Sequence, residues 1–495
     1  MDAIPKSTQI LVIGGGPGGS TAAALLARQG FPVTLLELSK FPRYHIGESL
    51  IPSVLPILDL LGVREKMETF GFVRKHGAYL EWGNETWPLN FGELSGNCTY
   101  SFQVVRSEFD LMLLNHAREQ GVQVFEEVEV RSIAFDGERP VRATWQRKGE
   151  NGQTLEEGEI SFDYMIDASG RNSLMSTRYL RNRRYHKIFQ NVAVWGYWKG
   201  ADRLATGREG DIGVSSISDG WLWAIPLHDD TMSVGVVMHK DNLQKIRDEG
   251  LDTIYQKAID ESPLVKNILR SAELVSSIHT ESDYSYASEI FCGPGFFLVG
   301  DAACFLDPLL SSGVHLAMFS AMLASASLSS LYHGEVEEPE MHNFFENSYR
   351  QAYLRFLVFL SAFYDVGRKK ESYFWEAQRV TQEEVSADQL KQAFLKLVTG
   401  VKDISDASNA ETRHYVLEEM TKRVDENLKF RKDKMALASL QGEEEVTARA
   451  NARFFSSVEG LFSLNEEDAV EGLFVMTEPR LRLARVQKEP VPVVE

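Results

Sequence analysis

The sequence predicts an α/β (α+β) protein: a dinucleotide-binding βαβ start, a strand-rich middle and a helical C-terminal lobe. Three observations carry this. Gln9-Ile10-Leu11-Val12-Ile13, a short apolar run of the kind buried parallel strands show, leads directly into Gly14-Gly15-Gly16-Pro17-Gly18-Gly19 and a small-residue helix. Alternating or wholly apolar runs then recur between about 75 and 290. Beyond about 340 these runs stop, and charged and apolar residues alternate at helical spacing.

Each element follows from local chemistry. The helix Ser20–Gln29 ends at Gly30, and Pro32–Glu37 is a second strand, closing the βαβ unit. In the middle, strands fit Gly77–Trp82, Val122–Val130, Arg142–Arg147, Val192–Trp198, Trp221–Pro226 and Met232–His239, with helices at Arg106–Gln120 and Leu251–Ser262. A second compact run, Gly295–Asp301, precedes a long helix of small and apolar residues, Gly313–Tyr332. Amphipathic helices fit His342–Tyr364, Ala387–Leu397 and Ala410–Leu437, and the tail Val486–Pro492 reads as frayed. The organisation expected is a module over 1–340 followed by a helical lobe over 341–495. Within the module, segments near 8–50, 100–175 and 290–335 build the nucleotide-binding part, and segments near 70–100 and 185–290 build a substrate sheet.

Composition bounds the function. The 495 residues suffice for two or three lobes, and 43% hydrophobic content excludes a disordered chain. A net charge of −19 repels phosphate backbones, so no nucleic-acid partner is expected. The three cysteines, Cys98, Cys292 and Cys304, have no metal-clip spacing, so neither a metal site nor a disulfide framework is expected. Met1–Lys6 lacks a basic region followed by an apolar one, and the window Ala352–Tyr364 is interrupted by Arg355, so neither a signal peptide nor a membrane span is expected and the location reads as cytoplasmic.

The glycine pattern Gly14-x-Gly16-x-x-Gly19 carries specific chemistry. The first glycine permits a tight turn, the second lets backbone approach a pyrophosphate, and the third lets helix and strand pack closely. The helix N-terminus faces the phosphates, and Glu37 at the end of the second strand suits a ribose diol. A structural glycine turn is the bland alternative. Tyr164–Gly170, an apolar strand ending in Asp-x-x-Gly, and Phe297–Ala303, with Asp301 ready to hold a ribityl hydroxyl, favour FAD.

The spacing of these three segments resembles the FAD-binding monooxygenase superfamily, with a Rossmann-like FAD-binding domain and a p-hydroxybenzoate-hydroxylase-like substrate sheet. The resemblance covers roughly residues 8–335. Phe41-Pro42-Arg43-x-x-Ile46-Gly47-Glu48-Ser49 resembles a segment shared by flavin-dependent halogenases and geranylgeranyl reductases. Gly220-Trp221-Leu222-Trp223-Ala224-Ile225-Pro226 and Asp307-Pro308-Leu309-Leu310-Ser311-Ser312-Gly313-Val314 are similar to the Trp-x-Trp-x-Ile-Pro signature and the chloride and flavin loop of the halogenases.

That resemblance implies a halogenase using FAD as FADH2, oxygen and chloride, with a separate flavin reductase supplying FADH2. It implies cofactor contacts at Gly14, Gly16, Pro17, Gly19, Ser20, Glu37, Arg43, Ser49, Arg106, Asp301, Pro308, Gly313 and Val314, and a halide at Ser312 and Gly313. Lys75 corresponds to the lysine that takes the oxidised halide to the substrate, and Trp221 and Trp223 to the wall between flavin and substrate. Two tryptophans two apart on a strand project to one face, although core packing alone also explains such a pair. Most lysines are merely solvated; burial of Lys75 would lower its pKa and favour the assigned role.

One departure is informative. Tryptophan halogenases carry a glutamate three residues before the loop glycine, where this chain has Leu310. An electron-rich phenol or pyrrole needs less help in losing its ring proton, so the expected acceptor is a phenolic or pyrrolic small molecule, free or tethered to a carrier protein, in natural-product biosynthesis. The basic run Arg178, Arg181, Arg183, Arg184, His186 and Lys187 is a carrier-docking patch, a solvated loop or a surface ion-pair network. The alternatives are a one-component NAD(P)H aromatic hydroxylase, a geranylgeranyl-type reductase, and a flavin-bound protein without turnover.

Overall fold

The computed structural model describes residues 3–82, 85–91, 100–149, 151, 153–366, 469–470 and 472–486. Its first sheet is built on the strand Ser7–Ile13, which runs parallel to Val33–Leu36 on one side and to Thr154–Asp167 on the other. Val12 lies level with Leu35 and Ile166. Gln123–Phe125 extends one edge in parallel and Phe296–Leu298 the other. Such strands are covered on both faces, which is why they read as unbroken apolar runs. An antiparallel hairpin, Val128–Asp136 with Arg139–Lys148, continues from the first half of Thr154–Asp167.

The run Val122–Val130 is therefore two strands, not one. Phe125 ends the parallel pairing, Glu127 takes a left-handed φ of 62°, and Val128 starts the hairpin. Helices Pro17–Arg28, Arg106–Glu119 and Gly313–Tyr332 pack on the parallel core. A Cβ on Gly18 would lie 2.9 Å from Val299 and 3.2 Å from the Ala317 carbonyl oxygen, so that glycine lets the two small-residue helices meet. Gly313–Tyr332 is long and apolar enough to cross a membrane, a property the sequence analysis missed. Here it is mostly buried inside the fold, against Pro17–Arg28 and Glu338–Val366.

The second sheet has nine strands, with Arg183–Lys199, Thr231–His239 and Gly220–Pro226 at its centre. Period-two alternation gives it two faces. Val192, Val194, Leu222, Ala224, Val234 and Val236 point to one side, where the helices Leu243–Glu249, Leu251–Glu261 and Pro263–Ile268 cover them. Trp195, Trp221, Trp223, Ile225 and Val237 point to the other and join the core of the nucleotide-binding module.

Helix Glu338–Val366 contains the expected His342–Tyr364. The expected helices Ala387–Leu397 and Ala410–Leu437 lie outside the described residues, as does the tail beyond Val486. One expectation for the C-terminal lobe needs correction: strands do not stop at 340. A hairpin of Leu473–Met476 and Arg482–Arg485 packs on the end of Gly313–Tyr332, where Leu483 N–H donates to Ser330 Oγ at 2.8 Å. Its four-residue strands are too short for a period-two pattern to stand out among the charged residues around them.

Candidate active site

The nucleotide loop has the geometry its glycines require. Gly14 sits at φ 103°, and a Cβ there would fall 2.3 Å from the Ala168 carbonyl oxygen. A Cβ on Gly19 would fall 1.9 Å from the Gly14 oxygen. Pro17 occupies the first helical turn, and Ser20 Oγ donates to the Gly15 carbonyl at 2.8 Å. Glu37 is buried at the end of its strand, its two oxygens accepting from Gly15 N–H (2.6 Å) and Ser39 N–H (2.7 Å). Gly16 faces the Arg43 guanidinium.

Arg43 and Arg106 share Asp110. Arg106 holds that carboxylate with two hydrogen bonds of 2.8 and 3.0 Å, and Arg43 lies 3.2 Å away. Arg106 also donates to the Ile46 carbonyl at 2.8 Å, tying the 41–49 segment to the helix Arg106–Glu119. Asp301 follows Gly300 in the turn before the long helix. Burial pushes its carboxyl up, and Arg171, Arg106 and Arg183 pull it back down. Loop, arginines and Asp301 thus converge on one side of the parallel sheet, with donors for a pyrophosphate and acceptors for hydroxyls. These residues fit FAD.

The turn Asp307–Gly313 lies beside this cradle. Asp307 caps the short Pro308–Leu310 helix through Leu309 N–H (3.1 Å) and accepts from Asn191 at 2.8 Å. Ser311 takes a left-handed φ of 54°, and buried Ser312 precedes Gly313 at the head of the long helix. The N–H groups of Gly313, Val314 and His315 have no intrahelical acceptor. Ser312 uses no side-chain cap, so these donors stay available to an anion.

Lys75 is buried, 3% exposed, so it is not one of the solvated lysines. It ends the strand Val73–Lys75, where its partner is Ser101 on Ser101–Gln103. Its Nζ donates to Ser49 Oγ at 2.8 Å and the Leu50 carbonyl at 3.0 Å, and lies 5.6 Å from the Phe91 ring centroid. Ser49, grouped above with the cofactor contacts, thus has its hydroxyl on the amine. Desolvation lowers the Lys75 pKa to about 7, with Asp211 opposing. At neutral pH a large share of this amine is unprotonated and nucleophilic.

Trp221 and Trp223 share one face, as expected. Their centroids are 6.0 Å apart, and Trp195 lies 6.5 Å from Trp223. Trp223 Nε1 donates to Ser233 Oγ at 3.2 Å, and its ring crosses Gly235, where a Cβ would be 2.2 Å away. The same face receives Glu48, which the sequence reading passed over. Tyr197 donates to Glu48 Oε1 at 2.7 Å, and burial raises the carboxyl to about 7. His315 was also missed. It is 1% exposed, and burial lowers it to about 4. A histidine two residues past a loop glycine gives no periodic signal, and only the tertiary packing shows that it is buried.

In the basic run, Arg183 stacks 3.9 Å over the Tyr286 centroid and donates to the Arg171 carbonyl. Arg184 pairs with Glu289 at 2.7 Å, and His186 bonds Tyr353. These three residues have intramolecular partners, one of them, Arg184, in an ion pair.

Comparison with known proteins follows the same lines. The family model for tryptophan halogenase matches residues 9–99 and 90–418. A tryptophan 2-halogenase of Chondromyces crocatus is 46% identical, covering 97% of this chain and 95% of its own. The sulochrin halogenase gedL of Aspergillus terreus is 38% identical over 73% of this chain and 70% of its own. Among solved structures, the myxobacterial chondrochloren halogenase CndH superposes with a TM-score of 0.72 at 37% identity, covering 81% of this chain and 92% of that one. The flavin-dependent halogenase CmlS gives 0.71 at 32%, covering 86% and 78%. On the match to the family model and to the 46%-identical relative, the chain belongs to the tryptophan halogenase family of FAD-dependent halogenating enzymes.

Proposed function

We propose that this halogenase chlorinates an electron-rich phenolic or pyrrolic ring, free or carrier-tethered, by way of Lys75. Reduced FAD, delivered by a separate reductase, would supply the two electrons that bring oxygen to the peroxide level, and oxygen at that level is the oxidant that converts chloride to hypochlorous acid. The chain's own part is to hold chloride on the free N–H groups at Ser312–Gly313 and to keep the acceptor ring behind Trp221 and Trp223. It then receives hypochlorous acid at the Lys75 amine.

The observation that carries this reading is the burial of Lys75 together with its two acceptors, Ser49 Oγ and the Leu50 carbonyl. They leave the third ammonium proton, or the amine lone pair, free to engage the oxidant. Leu310, half-buried where tryptophan halogenases carry glutamate, supports an acceptor that releases its proton readily. The name of the 46%-identical relative favours a second reading, with free tryptophan as the acceptor.

The deciding assay supplies regenerated FADH2, oxygen and either chloride or bromide to a panel of phenols, pyrroles and tryptophan, with products read by mass spectrometry. Phenol or pyrrole chlorination supports the first reading; product from tryptophan alone replaces it with the second. Lys75→Ala is expected to abolish halogenated product while flavin reoxidation continues. Undiminished chlorination by that variant would remove Lys75 from the mechanism.

A further inference from the structure

The first turn of the long helix Gly313–Tyr332 has two sides. Ala317 faces the nucleotide module, close to Gly18 and Gly300. At 3.6 residues per turn, His315 points roughly 200° away from it. There the imidazole meets the Ser53 backbone, stacks at 5.5 Å on Phe319 and lies 5.7 Å from Phe356.

One ring nitrogen of His315 is turned to the Ser53 backbone as a hydrogen-bond partner; among the described residues the other has none, and neither does the Ser53 hydroxyl beside it. Both residues are buried, at 1% and 3% exposure. More than nine in ten buried polar groups in native proteins are paired, because leaving one unpaired is costly. Two unpaired polar atoms on two neighbouring residues, beside the Phe319 and Phe356 rings, suit a mostly apolar molecule with one polar handle.

Chain continuity ties this site to Lys75. Ser49 and Leu50 hold the amine, and Ser53 follows three residues after Leu50. The remaining unpaired atoms of this neighbourhood, Glu48 Oε2, Ser101 Oγ and Gln103 Oε1, belong to the same segment and the strand paired with it.

We propose that His315 and Ser53 receive the ring O–H or N–H of the aromatic acceptor, and that His315 takes that proton as a ring carbon is halogenated. This rests on the reading of Lys75 given above. The carbon–halogen bond forms from a ring electron pair while the halogen–oxygen bond of the hypohalous acid breaks, releasing hydroxide. The O–H or N–H proton passes to an imidazole nitrogen and then to that hydroxide, making water. The ring C–H proton moves to the vacated oxygen or nitrogen as aromaticity returns. The base left open by Leu310 is then His315, acting on the heteroatom of the ring and not on its carbon.

The test compares a phenol with its methyl ether and an indole with its N-methyl derivative on the FAD-loaded full chain. Readouts are kcat/KM for halogenation and, independently, equilibrium binding. The native enzyme is expected to prefer the donor-bearing member of at least one pair by roughly 10- to 100-fold, and the favoured pair identifies the donor as oxygen or nitrogen. His315→Phe, which keeps the stacking, brings that ratio to within about threefold by lowering only the donor-bearing ring. His315→Gln, which keeps an acceptor, retains the binding preference and loses kcat.

An unchanged ratio in His315→Phe, or an equal fall for both members of a pair, overturns the proposal. If His315→Phe does not retain flavin, Ser53→Ala carries the same comparison, and an unchanged ratio there is equally fatal. Failure of the native enzyme to halogenate any ring would instead overturn the Lys75 reading, since the binding ratio reports on His315 without turnover.

Discussion

The two faces of the nine-stranded sheet come from the same strands yet behave differently. On one, Val192, Leu222, Ala224, Val234 and Val236 pack against three helices in a largely aliphatic layer around buried Tyr255. On the other, one residue along in each strand, Trp195, Trp221 and Trp223 stand with Ser233, Tyr197 and Glu48. The aliphatic face holds the sheet together. The aromatic face combines large flat surfaces with a few polar atoms, which stabilises less per unit area but can separate and orient reactants. Neighbouring side chains on one strand thus enter two different environments.

That division can be broken from either side. Lys75→Met, on the short strand paired with Ser101–Gln103, is expected to lower halogenated product at least about 10³-fold while Tm stays within a few degrees, by product mass spectrometry and thermal melts. Leu222→Ala, on the aliphatic face, is expected to cost about 2–5 kcal/mol in urea titrations, with turnover per folded molecule within about threefold. Gly235→Ala lies between these cases. Its new Cβ would press on the Trp223 ring, so a loss of about 1–3 kcal/mol should come with more oxidant escaping per product formed. A purely structural wall would lose stability without that leakage.

The smallest effect concerns pH. Activity should rise with pH through an acid limb near 7 as Lys75 loses its proton. Asp211 holds the Lys75 pKa up, so Asp211→Asn should move that limb down by less than about one unit in a pH–rate profile. The sign for stability follows from the same depression. Between about 7 and the ordinary lysine value of 10.5 the unfolded chain binds the extra proton, so this amine makes stability rise with pH across that window. Lys75→Met should flatten that contribution.

Much of this was legible in the sequence because the chemistry was local. The glycine loop, the helix Gly313–Tyr332 and the spacing of Trp221 and Trp223 depend on near neighbours, and each lies where the pattern puts it. The break at Glu127 was not legible, since it depends on which strand each half of the run meets. The surroundings of Lys75 were not legible either. Ser49, Ser101 and Asp211 come from segments far apart in the chain, and only the fold brings them to the amine. Glu48 sat inside a quoted motif without a role, because only the approach of Tyr197 shows where its carboxyl points.

The hairpin near the C-terminus has a consequence for truncating the chain. Helix Glu338–Val366 leaves from the flank of Gly313–Tyr332, and the hairpin returns to that helix through Leu483 and Ser330 and through Arg480, which donates to Ser329 and pairs with Glu335. The hairpin is therefore fastened to the end of the rod whose opposite tip presents Gly313. Cutting the gene after residue 366 would remove those fastenings together with residues 367–468, so a truncation there tests the hairpin's hold on the rod as well as the deleted residues.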